Sequence, residues 1–177
     1  MNRKTFLLAI AFAAIKIQAH AQGGVPLWTN WYDAPGKVYE QANAIAVDAD
    51  GNVIVTGYVQ TTNGSDVDTI KYSNAGVPLW TNSFEGGSGW AITANNNGDV
   101  FVTGLSGSNN GVYFTSQYLT LAYSSAGVLL WTNVSQNGVS GPTANSATAV
   151  TVTSSSNVVV TGHVYGGQFH YSYATVA

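Results

Sequence analysis

Within each stretch of about fifty residues the chain sets apolar residues alternately with small or polar ones, as at Ile45 and Val47 and then at Val53 and Val55. Alternation with a period of two over four to six residues is the signature of a half-buried strand, and the 3.6-residue spacing of an amphipathic helix is absent. Asp50-Gly51 and Asn97-Gly98 separate neighbouring runs, dipeptides suited to the positive φ of a tight hairpin turn; Ser155-Ser156 is a weaker turn at the matching place. A further reversal is marked by Asn74-Ala75-Gly76 and by Ser125-Ala126-Gly127, each just before a run centred on tryptophan. The pattern predicts four kinds of strand. An outer strand surrounds Trp28, Trp80 or Trp131, and an inner strand surrounds Ile45, Ile92 or Val150. A second strand ends at Gly57, Gly104 or Gly162, and a third surrounds Ile70, Leu121 or Val176.

These runs recur as whole strings. GVPLWTN (24–30) returns as GVPLWTN (76–82) and GVLLWTN (127–133), which places the tryptophans 52 and 51 residues apart. AIAVDADGNVIVTG, AITANNNGDVFVTG and AVTVTSSSNVVVTG end at Gly57, Gly104 and Gly162, and TIKYSNAG (69–76) returns as TLAYSSAG (120–127). Three strings in a fixed order define one unit copied three times, over residues 24–75, 76–126 and 127–177. Four antiparallel strands per copy is the content of one β-propeller blade, so the expected fold is all-β, with about three four-stranded blades in an open or incomplete propeller. The AIAVDADGNVIVTG hairpin, the TIKYSNAG strand and the LW pair after it resemble the bacterial SBBP-type β-propeller repeat. The likeness covers essentially all of residues 22–177, is best in the first copy, is looser in the second, where Asn replaces the acidic turn residues, and is poorest in the third. The resemblance implies a secreted or surface-displayed propeller, commonly with more repeats than three and without an assigned reaction. It carries over no catalytic residue, because the repeat pattern contains none.

The phase of the repeat adds an expectation. An outer strand at Val25 to Trp31 comes before any inner strand, while the third copy, from Ala149 to Ala177, lacks an outer strand; complete blades run from Ala44 to Asn82 and from Ala91 to Asn133. Three blades are fewer than the four to eight of ordinary propellers, so open faces and unpaired edges favour self-association, for instance two copies making six blades. The alternative is the N-terminal part of a longer propeller enzyme or adhesin with its active groups downstream.

Composition fixes the setting. Only 7% of the 177 residues are Asp, Glu, Lys or Arg, against roughly 25% in an ordinary soluble domain. Residues 1–21 read as an export signal: Arg3 and Lys4 make a basic start, Thr5 to Ile15 an apolar stretch, and Ala19-His20-Ala21 a small-residue cleavage site. That stretch falls well short of the roughly 20 residues needed to span a bilayer, and no later segment is apolar for long enough. The expected product is therefore exported, to the medium, the outer surface or the periplasm. Cleavage leaves two cations, Lys37 and Lys71, against eight acidic residues, a net charge of −6. Such a chain cannot neutralise a run of phosphates, which argues against nucleic-acid binding. It contains no Cys, which removes disulfides and thiolate metal sites.

Candidate chemistry is sparse. One tryptophan per copy, at Trp28, Trp80 and Trp131, fits packing between neighbouring blades. Trp31 and Trp90 do not recur, are expected in the outer-to-inner connections, and are the candidates for stacking on a sugar or another planar ligand. Asp48-Ala49-Asp50-Gly51-Asn52 has the alternating oxygens of a calcium loop, but its counterparts lose the charge while keeping the turn residues, so a turn is expected and no metal. Asp66 and Asp68 either pair with Lys71 or face solvent. The histidines of the exported part, His163 and His170, are read as polar strand and loop residues, and no nucleophile elbow, His pair or phosphate-cradling glycine loop accompanies them. Gly76-Val77-Pro78-Leu79-Trp80 echoes the blades of quinone-dependent dehydrogenases, but the cation cluster such a ring centre needs is missing. The expectation is a non-catalytic binding or scaffolding protein without a cofactor, directed to carbohydrate or another surface protein.

Overall fold

A computed structural model describes residues 26–34, 36, 39–62, 64–109, 114–135, 145–165 and 171–177; residues 1–21, read above as an export signal, and His170 lie outside them. The described chain is all-β, with eleven strands in three sheets. The first sheet holds β1 (Tyr39–Val47), β2 (Val53–Thr61), β3 (Gly64–Tyr72) and β4 (Pro78–Phe84) in that order. The second holds β5 (Gly87–Ala94), β6 (Val100–Asn109), β7 (Phe114–Tyr123) and β8 (Leu129–Ser135), and the third holds β9 (Ser146–Val152), β10 (Val158–Tyr165) and β11 (Tyr171–Val176). Every pair is antiparallel and joins neighbours in sequence, so each sheet is a blade-like meander. The result is an open fold of three blades, the third with three strands.

The blades stack face to face in chain order. Ile54 and Val67 of the first blade meet Val100, Val102, Leu119, Leu121 and Tyr123 of the second in one buried cluster, flanked by Trp80, Phe84 and Ile92. Tyr118 of the second meets Ala147, Val160 and Val164 of the third in another. Alternation explains this arrangement: in β2, Val53 and Val55 face one side while Ile54 and Thr56 face the other, so a strand with an inner and an outer neighbour needs apolar residues on both faces.

Four expectations about the strands and turns are corrected. The second strands do not stop at Gly57, Gly104 and Gly162 but run on to Thr61, Asn109 and Tyr165. The glycines mark a close approach instead. Each lies opposite a β-bulge in the inner strand, at Asn43, Trp90 and Thr148, and a Cβ there would overlap the carbonyl oxygen of Gln41, Ser88 or Ser146. With the bulge included, the inner strands start earlier than expected, at Tyr39, Gly87 and Ser146. The hairpin turns are also wider than a two-residue turn: at Asp50-Gly51 and Asn97-Gly98 only the glycine has positive φ, and in the third copy Ser156 takes that place at φ 65°. Residues 26–34, finally, form no strand pairing, yet they lie against the first blade in a position described below.

Candidate functional site

The seam between blades is built the same way at the two outer tryptophans that meet the third-to-outer turn of the next blade. Gly127 has φ 84°, which lets the chain reverse and leaves no side chain, and the indole of Trp80 lies over it; a Cβ at Gly127 would stand 2.7 Å from Trp80 Cγ. Trp80 Nε1 donates to the Ser125 carbonyl at 3.1 Å, and Asn82 Nδ2 donates to the Gly127 carbonyl at 2.7 Å. One repeat earlier, Trp28 covers Gly76, its Nε1 donates to the Asn74 carbonyl at 3.1 Å, and Asn30 Nδ2 donates to the Gly76 carbonyl at 2.6 Å. Residues 26–34 thus occupy the outer-strand place of a blade standing before the first. Trp131 departs from the expected packing between blades: it lies against Phe101 of its own blade and stays 41% exposed.

Lys71, the one Lys or Arg among the described residues, pairs with neither Asp66 nor Asp68. Its Nζ lies 2.8 Å from Asp48 Oδ2 and donates to the Ser125 carbonyl at 3.1 Å, with both side chains of the ion pair buried. Asp48 Oδ1 accepts from the backbone N–H groups of Asp50 and Asn52, and Oδ2 also accepts from the Asn52 amide, so the carboxylate caps the expected turn. Burial alone would raise the Asp48 carboxyl, but the hydrogen bonds from Lys71 and Asn52 outweigh it and hold the group below its ordinary range. Asn95 caps the second copy's turn in the same way, and Thr153 Oγ1 accepts from the Asn157 N–H in the third.

The open face of the first blade carries a cleft of about 330 Å³. Its walls are largely apolar and aromatic, from Trp28, Tyr32, Ile45 and Tyr72, and Asp68 reaches into it from β3. Tyr32 donates its hydroxyl to Asp68 Oδ2 at 2.7 Å; Asp68 is 7% exposed, and its Oδ1 is buried without a partner. Burial, the hydrogen bond to Asp68 and the charges of Asp68 and Glu40 together push the Tyr32 hydroxyl well above the usual tyrosine range. Across the blade, burial and then the Asp68 charge push Tyr123 up to about 12. Chemically, the cleft offers flat apolar surface and one carboxylate oxygen seeking a donor. This pair was missed in the sequence, although the repeat contains the signal: Asp68 stands where the other copies have Leu119 and Ala174, and Tyr32 where they have Phe84 and Ser135.

The tryptophans singled out as a ligand face sit differently from each other. Trp31, 92% exposed, belongs to the segment on the first blade, at the place that Ser83 and Val134 hold within the outer strands of the other copies. Trp90 is instead the bulge residue of β5, 38% exposed, just after Gly89, whose carbonyl accepts from the Asn43 amide of the first blade at 2.7 Å. No ring contact joins Trp31 and Trp90 among the described residues. His163 is exposed on β10, its ring edge-on to Tyr171 at 5.9 Å. No helix among the described residues is long and apolar enough to cross a membrane. No protein-family profile matches the chain, and no curated protein is similar enough to serve as a relative.

Proposed function

We propose that this chain is an exported, non-catalytic β-propeller repeat protein of the SBBP type, which binds or scaffolds at the cell exterior through its open blade faces. The observation that supports this reading best is the first-blade cleft: aromatic walls around a buried carboxylate, on a sheet face that residues 26–34 cover in part. Elsewhere among the described residues, Lys71 and Asp48 are tied into a seam and His163 packs on a tyrosine. Carbohydrate or a surface protein is the target class, with Trp31 and Trp90 as stacking surfaces.

Labelled secreted chain offered to a glycan array and to whole cells should bind saturably, and Trp31→Ala or Trp90→Ala should weaken that binding. Absence of binding to either, or binding indifferent to both substitutions, overturns the reading. The same open faces also suit further blades of one chain, which favours a second reading as a section of a longer propeller enzyme or adhesin. A reading frame that continues past Ala177 with more repeats would select it.

A further inference from the structure

Among the described residues, the outward faces of the first and third sheets are the two halves of a seam that the sheets themselves display. Between the first and second blades, Thr56 Oγ1 lies 2.5 Å from where a Cβ at Gly89 would stand, so a small residue caps a threonine. Between the second and third, the fully buried Tyr118 crosses the seam and donates its hydroxyl to the Ala174 carbonyl at 3.3 Å. Pairing registers translate these contacts to the ends of the stack. Tyr118 lies opposite Leu105 in the second blade as Tyr173 lies opposite His163 in the third, and Leu119 and Ala174 lie opposite the bulge glycines Gly104 and Gly162 as Asp68 lies opposite Gly57. Thr161 holds the place of Thr56, with the same hydroxyl-to-carbonyl bond, to Ala174 at 3.0 Å, that Thr56 makes to Asp68. Ala42 holds the place of Gly89, paired with the bulge glycine.

Placing the third blade against the first blade of another copy therefore brings Ala42 over Thr161 and the Tyr173 hydroxyl to the residue 68 carbonyl, the place Tyr118 reaches at Ala174, beside the Asp68 carboxylate. Tyr173 is 88% exposed in the single chain, and Asp68 Oδ1 is the buried oxygen without a partner. The outer edge of β11 has no neighbouring strand among the described residues, and residues 26–34 already lie where an outer strand belongs. In the other blades that strand pairs Trp80 with Lys71 and Trp131 with Ala122.

We propose that the open face of the first blade receives the third blade of a second copy, with Tyr173 donating to Asp68 and residues 26–34 completing the partner's third sheet. This deepens the scaffolding reading above by naming the partner. The contact is head to tail, and two copies that close on each other satisfy both faces.

Sedimentation velocity on the secreted chain should show concentration-dependent assembly in the micromolar range. Tyr173→Phe removes one exposed hydroxyl, leaves the single chain folded, and should weaken assembly roughly tenfold or more, the worth of a hydrogen bond to a charged group. Asp68→Leu, which copies the second blade, should do likewise, and the double variant should be no weaker than the weaker single one. Because the chain has no Cys, a mixture of Ala42→Cys and Thr161→Cys chains should, on oxidation, give a mixed disulfide between copies. A chain that stays monomeric throughout, assembly indifferent to Tyr173→Phe, or an oxidised mixture without the mixed disulfide overturns the proposal. A monomer that still binds cells sinks self-docking alone, whereas a chain that assembles but binds no surface sinks only the surface-binding reading.

Discussion

Single residues carry the strain and the close contacts of this fold. Ser156 takes the left-handed conformation that Gly51 and Gly98 take in the other turns, at a cost of about 1 kcal/mol for a residue with a Cβ. Ser156→Gly should therefore raise stability by about that amount, read as a higher urea midpoint with unchanged slope. Gly104 has the opposite sensitivity. Its missing Cβ is where the Ser88 carbonyl passes, so Gly104→Ala should cost about 3 kcal/mol or more in the same measurement; a near-neutral result would mean the bulge can open. Both glycine roles leave the same letter in the sequence. The turn glycines were legible because polar neighbours such as Asn97 accompany them, but Gly57, Gly104 and Gly162 follow Val-x-Val-Thr runs and read as strand ends. What distinguishes them is the extra residue on the partner strand, which only pairing reveals.

At the scale of elements, the Asp48–Lys71 pair ties the first hairpin turn and β3 to the Ser125 turn of the next blade. Asp48→Asn leaves a buried ammonium without its counter-ion and should cost about 3 kcal/mol. The second copy has Asn95 and Ala122 at the two places, so adding Lys71→Ala should restore much of the loss; a double variant as unstable as Asp48→Asn would refute this account of the pair. The Asp48 carboxyl lies below its unfolded value of about 3.9, so its contribution is whole above that pH and drains away as acidity carries the solution down through the folded value. The melting temperature should accordingly drop below about pH 4, with a shallower drop in the double variant. Repeated strings made the strands and blades legible at this scale, because each copy confirms the others. The ion pair was not legible, since Asp48 looked like any turn residue and Asp66 and Asp68 were nearer to Lys71 in sequence. Asp68 and Tyr32 escaped for the reverse reason: they are the places where one copy differs from the rest.

For the whole molecule, the decisive feature is a stack of three sheets whose first and third outward faces, among the described residues, are unlike. The assembly and surface-binding measurements above address that feature directly. The order of strands has a consequence of its own. Every described strand pairs with the one just before or after it in the chain, across turns of a few residues, so the pairings within each sheet need no distant segment. Closing such short loops costs little entropy, and chains built from local contacts fold fast for their size. A chain that emerges N-terminus first, from a ribosome or an export pore, has all of its first sheet by residue 84. That finished sheet then presents a formed surface on which Gly87 and the strands after it can settle. Folding then proceeds as vectorial growth, each sheet the substrate for the next, and a protein without disulfides can reach its native state with no oxidising catalyst at its destination.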